Sequence, residues 1–437
     1  MIHLISKRNL LTNILKNSKI AGSVANRERG ALMRQIPKSS KLAHIGYDIR
    51  GPVADLAEDM RAEGIDILHL NTGNPAPFGF EAPEKMLQAM IDQIKPAQGY
   101  SQSSGILPAR EAIAGYSKKI GIQDVTVNDI YTGNGVSELI VLSMQALLED
   151  GDEVLVPAPD YPLWTAAITL AGGKAVYYMC DESADWNPDL ADMEAKITAK
   201  TRAIVVINPN NPTGAVYTKE TLLEIAALAR QNDLILFSDE IYDRVLMDDA
   251  VHYPIAALAP DVFTVTLNGL SKSHLIAGYR AGWMTLSGDK ASAKGYIAGI
   301  HMLASMRLCS NVLAQSLISA ALDDLDSIKP LLKPGGRIYE QREYIYQTVS
   351  QIEGLSVVKP KAAFYLFVKM DTERFGITSD EQFVVDFLRE KHVLLTHGGG
   401  FHWPKPDHFR IVFLPEVADL QSLGERLSDF LATYRQS

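Results

Sequence analysis

Four short polar strings in this 437-residue chain bring together residue types that can do chemistry. Asn268-Gly269-Leu270-Ser271-Lys272 offers an amine, a nucleophile once it loses its proton. Ser238-Asp239-Glu240-Ile241-Tyr242 offers carboxylates and a phenol, and residues 208–214, Asn-Pro-Asn-Asn-Pro-Thr-Gly, offer amides in a tight turn. Thr132-Gly133-Asn134-Gly135-Val136-Ser137-Glu138 is a glycine turn opening a helix, where backbone N–H groups can cradle an anion. Each has a plainer reading when taken alone. A loop lysine is usually solvated, an Asp after an apolar strand caps a helix, and a glycine turn is commonly only a turn.

The elements that must position these strings give them a common address. Each follows an apolar, β-branched run: 203–207, 234–237, 263–267 and the run ending at Tyr131. Further runs at 153–156 and 175–178 alternate with helix-like stretches such as 137–148 and 219–231. Near-continuous apolar strands alternating with helices predict an α/β fold with a mostly parallel sheet covered on both faces. Open parallel sheets bind ligands at the carboxyl ends of their strands, so all four strings are predicted to share one rim. Around Ser327 the pattern changes. Lys329-Pro330 and Lys333-Pro334-Gly335-Gly336 punctuate the chain, followed by a charged helix (337–351), strands (355–358, 364–368) and a helix (379–390) of a smaller α+β domain.

Composition narrows the function classes. The chain is 47% hydrophobic and 22% charged, ordinary for a globular protein, and no run reaches the roughly 18–20 apolar residues of a membrane span. Residues 1–32 carry Lys7, Arg8, Lys16, Lys19, Arg27 and Arg29 against Glu28, net +5, leaving −15 on residues 33–437 out of a total of −10. A body this acidic is a poor ligand for nucleic acid. Cys180 and Cys309 stand alone, reduced core thiols of a cytoplasmic protein. His397, His402 and His408 with Asp407 lack helical i, i+4 spacing and flank the Gly398-Gly399-Gly400 loop, so no metal is expected. His301, Met302 and Met306 read as core or interface. The basic leader is too broken by polar residues for a secretory signal. An organellar presequence is one reading; the one preferred is a disordered or non-native start, with Met33 an internal initiator.

One ligand uses all four strings. Pyridoxal 5′-phosphate needs an amine for its aldehyde, a carboxylate to keep its pyridine nitrogen protonated, a helix N-terminus with an arginine for its phosphate, a stacking aromatic and donors near its phenolic oxygen.

Gly269-Leu270-Ser271-Lys272, with Arg280 and then Ala281-Gly282-Trp283, resembles the signature of class I/II aminotransferases of PLP fold type I. Asn211-Pro212-Thr213-Gly214 and Asp239-Glu240-Ile241-Tyr242 match the family's other landmarks, and the resemblance runs from about residue 38 to the C-terminus. It implies Lys272 as the Schiff-base lysine and proton carrier, Asp239 as the pyridinium partner, and Asn211 and Tyr242 as donors to the phenolic oxygen. It implies Gly135, Val136, Ser137 and Arg280 at the phosphate, Ser271 among the cofactor contacts, Tyr161 against the ring, and Tyr100 reaching the phosphate of a second subunit in a homodimer with shared sites. For the substrate carboxylate it implies Arg410, Asn211 and the backbone at Gly73. It also implies the division 1–37 leader, 38–72 segment joining the small domain, 73–325 large domain with a mostly parallel seven-stranded sheet flanked by helices, and 326–437 remainder of the small domain. Two departures stand out: Gly269 where many relatives carry Ser, and Ala362-Ala363 where Gly-Ala is more usual.

Ser39 to Leu42, Tyr47 to Pro52, Gly73 to Phe80 and His402-Trp403-Pro404 resemble the bacterial glutamate–pyruvate (alanine) aminotransferases. That likeness implies transfer of an amino group between L-alanine and 2-oxoglutarate in two ping-pong halves. One pocket must then accept a methyl and a propionate, and Tyr47 and Arg50 are the candidates for a movable adaptor. The same fold serves aspartate, aromatic and branched-chain donors. It also occurs in cofactor-binding transcription regulators, which need a DNA-binding module that a basic leader of 32 residues is too short to form.

Overall fold

The computed structural model describes residues 36–45 and 51–436. Two compact units divide at residue 44. In the first, Ser40–His44 forms a 3-10 turn; the expectations for the leader and for Tyr47 and Arg50 lie outside the described residues. The second unit, from Ile45 to Ser437, holds every element below.

The first strand, β1, is Leu68–His69. After it come β2 (Ile130–Asn134), β3 (Glu153–Ala158), β4 (Lys174–Asp181), β5 (Asn187–Pro188), β6 (Thr201–Ile207), β7 (Ile235–Asp239), β8 (Thr264–Gly269) and β9 (Ala281–Ser287). These last eight make one sheet in the order β2-β9-β8-β7-β6-β3-β4-β5. From β8 to β4 neighbours are parallel, while β9 runs antiparallel to β2 and β8, and β5 antiparallel to β4. The seven strands expected are therefore joined by an eighth, the two-residue β5, too short for any periodicity to announce.

The sheet forms because its strands are apolar on both faces. In β6, Ala203, Val205 and Ile207 pack with Leu139, Ile140, Met144 and Trp164, while Ile204 and Val206 pack with Leu222, Ile225 and Ala226 on the other side. Alternate side chains thus meet helices Val136–Leu147 and Lys219–Gln231 on opposite faces. Each large aliphatic side chain so buried contributes roughly 1.5–3 kcal/mol. Strand β9 is hidden in the sequence because Gly282, Thr285 and Ser287 dilute its apolar run, yet all seven residues are buried. Gly282 has a specific reason: a Cβ there would lie 2.7 Å from the backbone at Gly135 and Val136.

The remaining strands are β10 (Leu355–Val357), β11 (Tyr365–Met370), β12 (Val393–Leu394), β13 (Thr396–His397) and β14 (His408–Val412). Four form an antiparallel sheet in the order β10-β11-β14-β13, and β12 pairs parallel with β1, Leu68 opposite Val393. Their core draws on Val53, Ala57 and Leu70 from early in the chain and on Ile338, Phe383 and Leu427 from its end.

Candidate active site

The carboxyl ends of β6, β7 and β8 and the helix start after β2 face one cleft of about 580 Å³. Val136, Ser137, Tyr161, Asn211, Asp239, Tyr242, Ser271, Lys272 and Arg280 line it, together with Gly73, Tyr365 and Arg410. The four strings therefore do meet.

Lys272 lies on the single helical turn Leu270–Ser273 that follows β8. Its Nζ donates to the Gly73 carbonyl at 2.6 Å. Burial pushes its pKa down, and Arg410 and Arg280 push the same way, against Tyr365. The amine therefore loses its proton more readily than a surface lysine, as a nucleophile and proton carrier must.

Asp239 ends β7 and is 3% exposed. The Trp164 indole N–H donates to it at 3.1 Å and the Ile241 N–H at 3.4 Å. Both donors are neutral, and burial pushes the carboxyl up to about 6. A buried carboxylate at a cleft wall, bonded only to neutral groups among the described residues, suits a cationic ring nitrogen.

The anion cradle is built behind helix Val136–Leu147. Gly135 caps it at φ +76°, and a Cβ there would meet the Arg280 guanidinium at 2.3 Å. Glu138, which no sequence signal singled out, locks this turn: it accepts from the Asn134 N–H at 2.7 Å, the Asn134 amide at 3.0 Å and Arg307 at 2.5 Å. A helix N-terminus with a guanidinium laid across it fits a phosphate.

Arg410 sits on β14 at 2% exposure, too deep for a surface ion pair. Nη1 donates to Asn211 Oδ1 at 2.8 Å and Nη2 to the Asn71 carbonyl. The guanidinium is sandwiched between the rings of Tyr365 at 4.4 Å and Phe401 at 4.5 Å. No carboxylate pairs with it among the described residues, so a buried fork of donors faces the cleft ready for a substrate carboxylate. Gly73 must be glycine, since a Cβ would stand 2.1 Å from the Tyr365 hydroxyl oxygen.

Tyr100 is not in this cleft; it is 84% exposed. His402 Nδ1 lies 2.7 Å from Asp160, and His408 Nδ1 2.7 Å from Asp407. Among the described residues no three His, Cys, Asp or Glu gather to hold a metal ion. Trp164, Phe401 and Tyr365 are the lining or backing aromatics that sequence reasoning missed. Only their neighbours Tyr161, His402 and Ala363 had drawn notice.

An amine, a buried acid and an arginine-backed helix start on this sheet define a pyridoxal-phosphate enzyme. The family model described as aminotransferase class I and II matches residues 65–427, and the chain belongs to that family; its cofactor is pyridoxal 5′-phosphate. Over 404 residues it is 59% identical to the glutamate-pyruvate aminotransferase AlaA of Haemophilus influenzae, covering 92% of this chain and 100% of that one. It is 52% identical to an alanine aminotransferase of Mycobacterium bovis, covering 92% and 94%. A crystal structure of an Escherichia coli aminotransferase superposes with a TM-score of 0.91 at 57% identity, covering 92% of this chain and all of that one.

Proposed function

We infer that this enzyme moves the amino group between L-alanine and 2-oxoglutarate, giving pyruvate and L-glutamate. The observation that carries the reading is the 59% identity with a glutamate-pyruvate aminotransferase across 404 residues. When bound, the cofactor supplies an aldehyde that takes up the amino group and a ring that withdraws charge from the substrate Cα. Lys272 Nζ, with its lowered pKa, would take the Cα proton and deliver it to the cofactor carbon that carried the aldehyde, so that the amino group stays with the cofactor. Asp239 keeps a proton on the ring nitrogen, and Tyr242 and Asn211 donate at the phenolic oxygen. Gly135, Val136, Ser137 and Arg280 hold the phosphate, Ser271 adds a cofactor contact, and Tyr161 stacks on the ring. Arg410, Asn211 and the Gly73 backbone orient the substrate carboxylate so that the bond to be broken faces Lys272.

A homodimer with shared sites is supported by the surface around Tyr100. Met302, Met306 and Leu308 are 65%, 74% and 55% exposed, and Ser103 is bonded to Ser305 and Arg307 beside them. An apolar patch of this kind marks a partner surface, from which Tyr100 would reach the neighbouring phosphate. That the chain just before residue 73 joins the small domain of 326–437 is supported by the β1–β12 pairing. No helix among the described residues is long and apolar enough to cross a membrane. The likeness of Tyr47 to Pro52 to the alanine enzymes is what supports Tyr47 and Arg50 as adaptors for the two side chains.

The test is product analysis of cofactor-loaded enzyme. Alanine with 2-oxoglutarate should yield pyruvate and glutamate in equal amounts, faster than aspartate, tyrosine or valine as donor. A higher kcat/KM with any of those donors would overturn the substrate assignment.

A further inference from the structure

Tyr365 stands where three parts of the cleft meet, although no motif singled it out. It opens β11 and is 2% exposed. Its hydroxyl lies 2.5 Å from that of Tyr242. Its ring carries the Arg410 guanidinium at 4.4 Å, and its oxygen lies so close to Gly73 that a Cβ there would stand 2.1 Å away.

Two phenols bring two protons, and only one of these can lie between the two oxygens. Burial holds the Tyr242 phenol well above its ordinary range, so it keeps its proton near neutral pH. If Tyr242 donates that proton toward the cofactor's phenolic oxygen, the proton between the two tyrosines must come from Tyr365. An O–H whose oxygen also accepts a hydrogen bond is the stronger donor for it.

We propose that Tyr365 is a positioning residue for the reaction: its hydroxyl donates to Tyr242, and so fixes the direction and strength of the bond Tyr242 makes to the cofactor. The proposal rests on the reading that the cleft holds pyridoxal phosphate with Tyr242 at its phenolic oxygen. A donor at that oxygen draws off negative charge that would otherwise hold the proton on the adjoining lysine-bound nitrogen. Weakening the donor therefore raises the pH at which the visible band titrates.

The experiment is a pH titration of the visible absorbance of cofactor-loaded enzyme. Tyr365→Phe should raise the midpoint by about 0.5–1 pH unit, roughly threefold to tenfold in the acid constant. Tyr242→Phe should raise it further, and the double variant should match Tyr242→Phe alone. The Phe ring still carries Arg410, so KM for L-alanine should change less than about twofold. Fluorotyrosine incorporated at position 365, a stronger donor, should move the midpoint down, and it probes the same bond should Tyr365→Phe fold poorly. A wild-type midpoint in Tyr365→Phe, or an equal further shift in the Tyr242→Phe background, overturns the proposal. No yellow band in the wild-type enzyme overturns the cofactor reading instead; a wild-type midpoint in Tyr242→Phe overturns the role of Tyr242 and this proposal with it.

Discussion

Asp239 illustrates how a single side chain trades stability for binding. Without a cation beside it, burial lifts its pKa to about 6 from 3.8. A carboxyl with a raised folded-state pKa costs stability as pH climbs from about 4 through 6, because the unfolded chain ionises first. Asp239→Asn should therefore raise the melting temperature of the cofactor-free protein at pH 8, by an amount on the order of 2–3 kcal/mol in stability. The same variant should lose most of the melting-temperature gain that added pyridoxal phosphate gives the wild type. Thermal melts with and without cofactor read both effects, and a destabilised cofactor-free Asp239→Asn would contradict them. Arg410 makes the complementary case. Arg410→Lys keeps a charge but loses the planar fork held by Asn211 and the Asn71 carbonyl. Its kcat/KM for alanine should fall by about 30-fold to several thousand-fold, the range expected for 2–5 kcal/mol, with the visible spectrum unchanged.

Lys272, Asp239, Asn211 and the Gly135 turn were legible at this scale because each follows an apolar strand, and sheet topology then forces convergence. Tyr365 was not legible. Its partner Tyr242 lies 123 residues away, and nothing local to Phe364-Tyr365-Leu366 separates a site tyrosine from a core one. The fact that Gly73 must remain glycine is likewise visible only once the Tyr365 ring is placed against it.

At the scale of elements, the strand β7 and the turn after it carry Asp239, Glu240, Tyr242 and Asp243, all buried. Glu240 has no exposed atoms to speak of, at 0%, and accepts from Ser238 at 2.8 Å. Burial, with Asp243 and Asp239 nearby, pushes it up to about 8. The folded protein therefore loses stability as pH rises from about 4.5 through 8. Glu240→Gln should flatten the melting temperature between pH 6 and 9, and a slope like that of the wild type would refute this. A second element effect belongs to helix Arg337–Ser350, whose Arg342 side chain is fully buried against Asp248 and Glu343 at 2.8 and 2.5 Å. Arg342→Ala takes the cation from Asp248, while Glu343 keeps Lys359 at 2.9 Å, and truncating this fully buried side chain should cost about 2–5 kcal/mol in denaturant unfolding. Among the longer strands, β9 and β14 were concealed in the sequence. In β9 small and polar residues interrupt the pattern, and in β14 His408 and Arg410 do so, although every residue of both strands is buried. What hid β14 is also what makes it useful, since Arg410 is polar where a strand pattern calls for an apolar residue.

For the whole molecule, the early chain and its end share one core, and the cleft draws Gly73, Lys272 and Arg410 from widely separated segments. Helix–strand alternation revealed the large sheet, but nothing in composition could show that Leu68 pairs with Val393. The exposed Met302 and Met306 beside Tyr100's segment lead to a prediction at this scale. Replacing both with Glu should convert a species of twice the chain mass into one of single mass in sedimentation. It should also weaken cofactor retention, as Tyr100→Phe should do without dissociating the dimer. A wild-type particle of single mass that keeps full activity would refute the shared site.

The most direct measurement is the visible absorption spectrum of cofactor-loaded enzyme, recorded before and after L-alanine alone and again after 2-oxoglutarate. A yellow band that bleaches with alanine and returns with 2-oxoglutarate, and that is absent or unresponsive in Lys272→Ala, is the predicted result. A yellow band indifferent to alanine but bleached by aspartate or an aromatic donor would contradict alanine–glutamate transfer. A Lys272→Ala protein that still cycled would contradict the assignment of Lys272 itself.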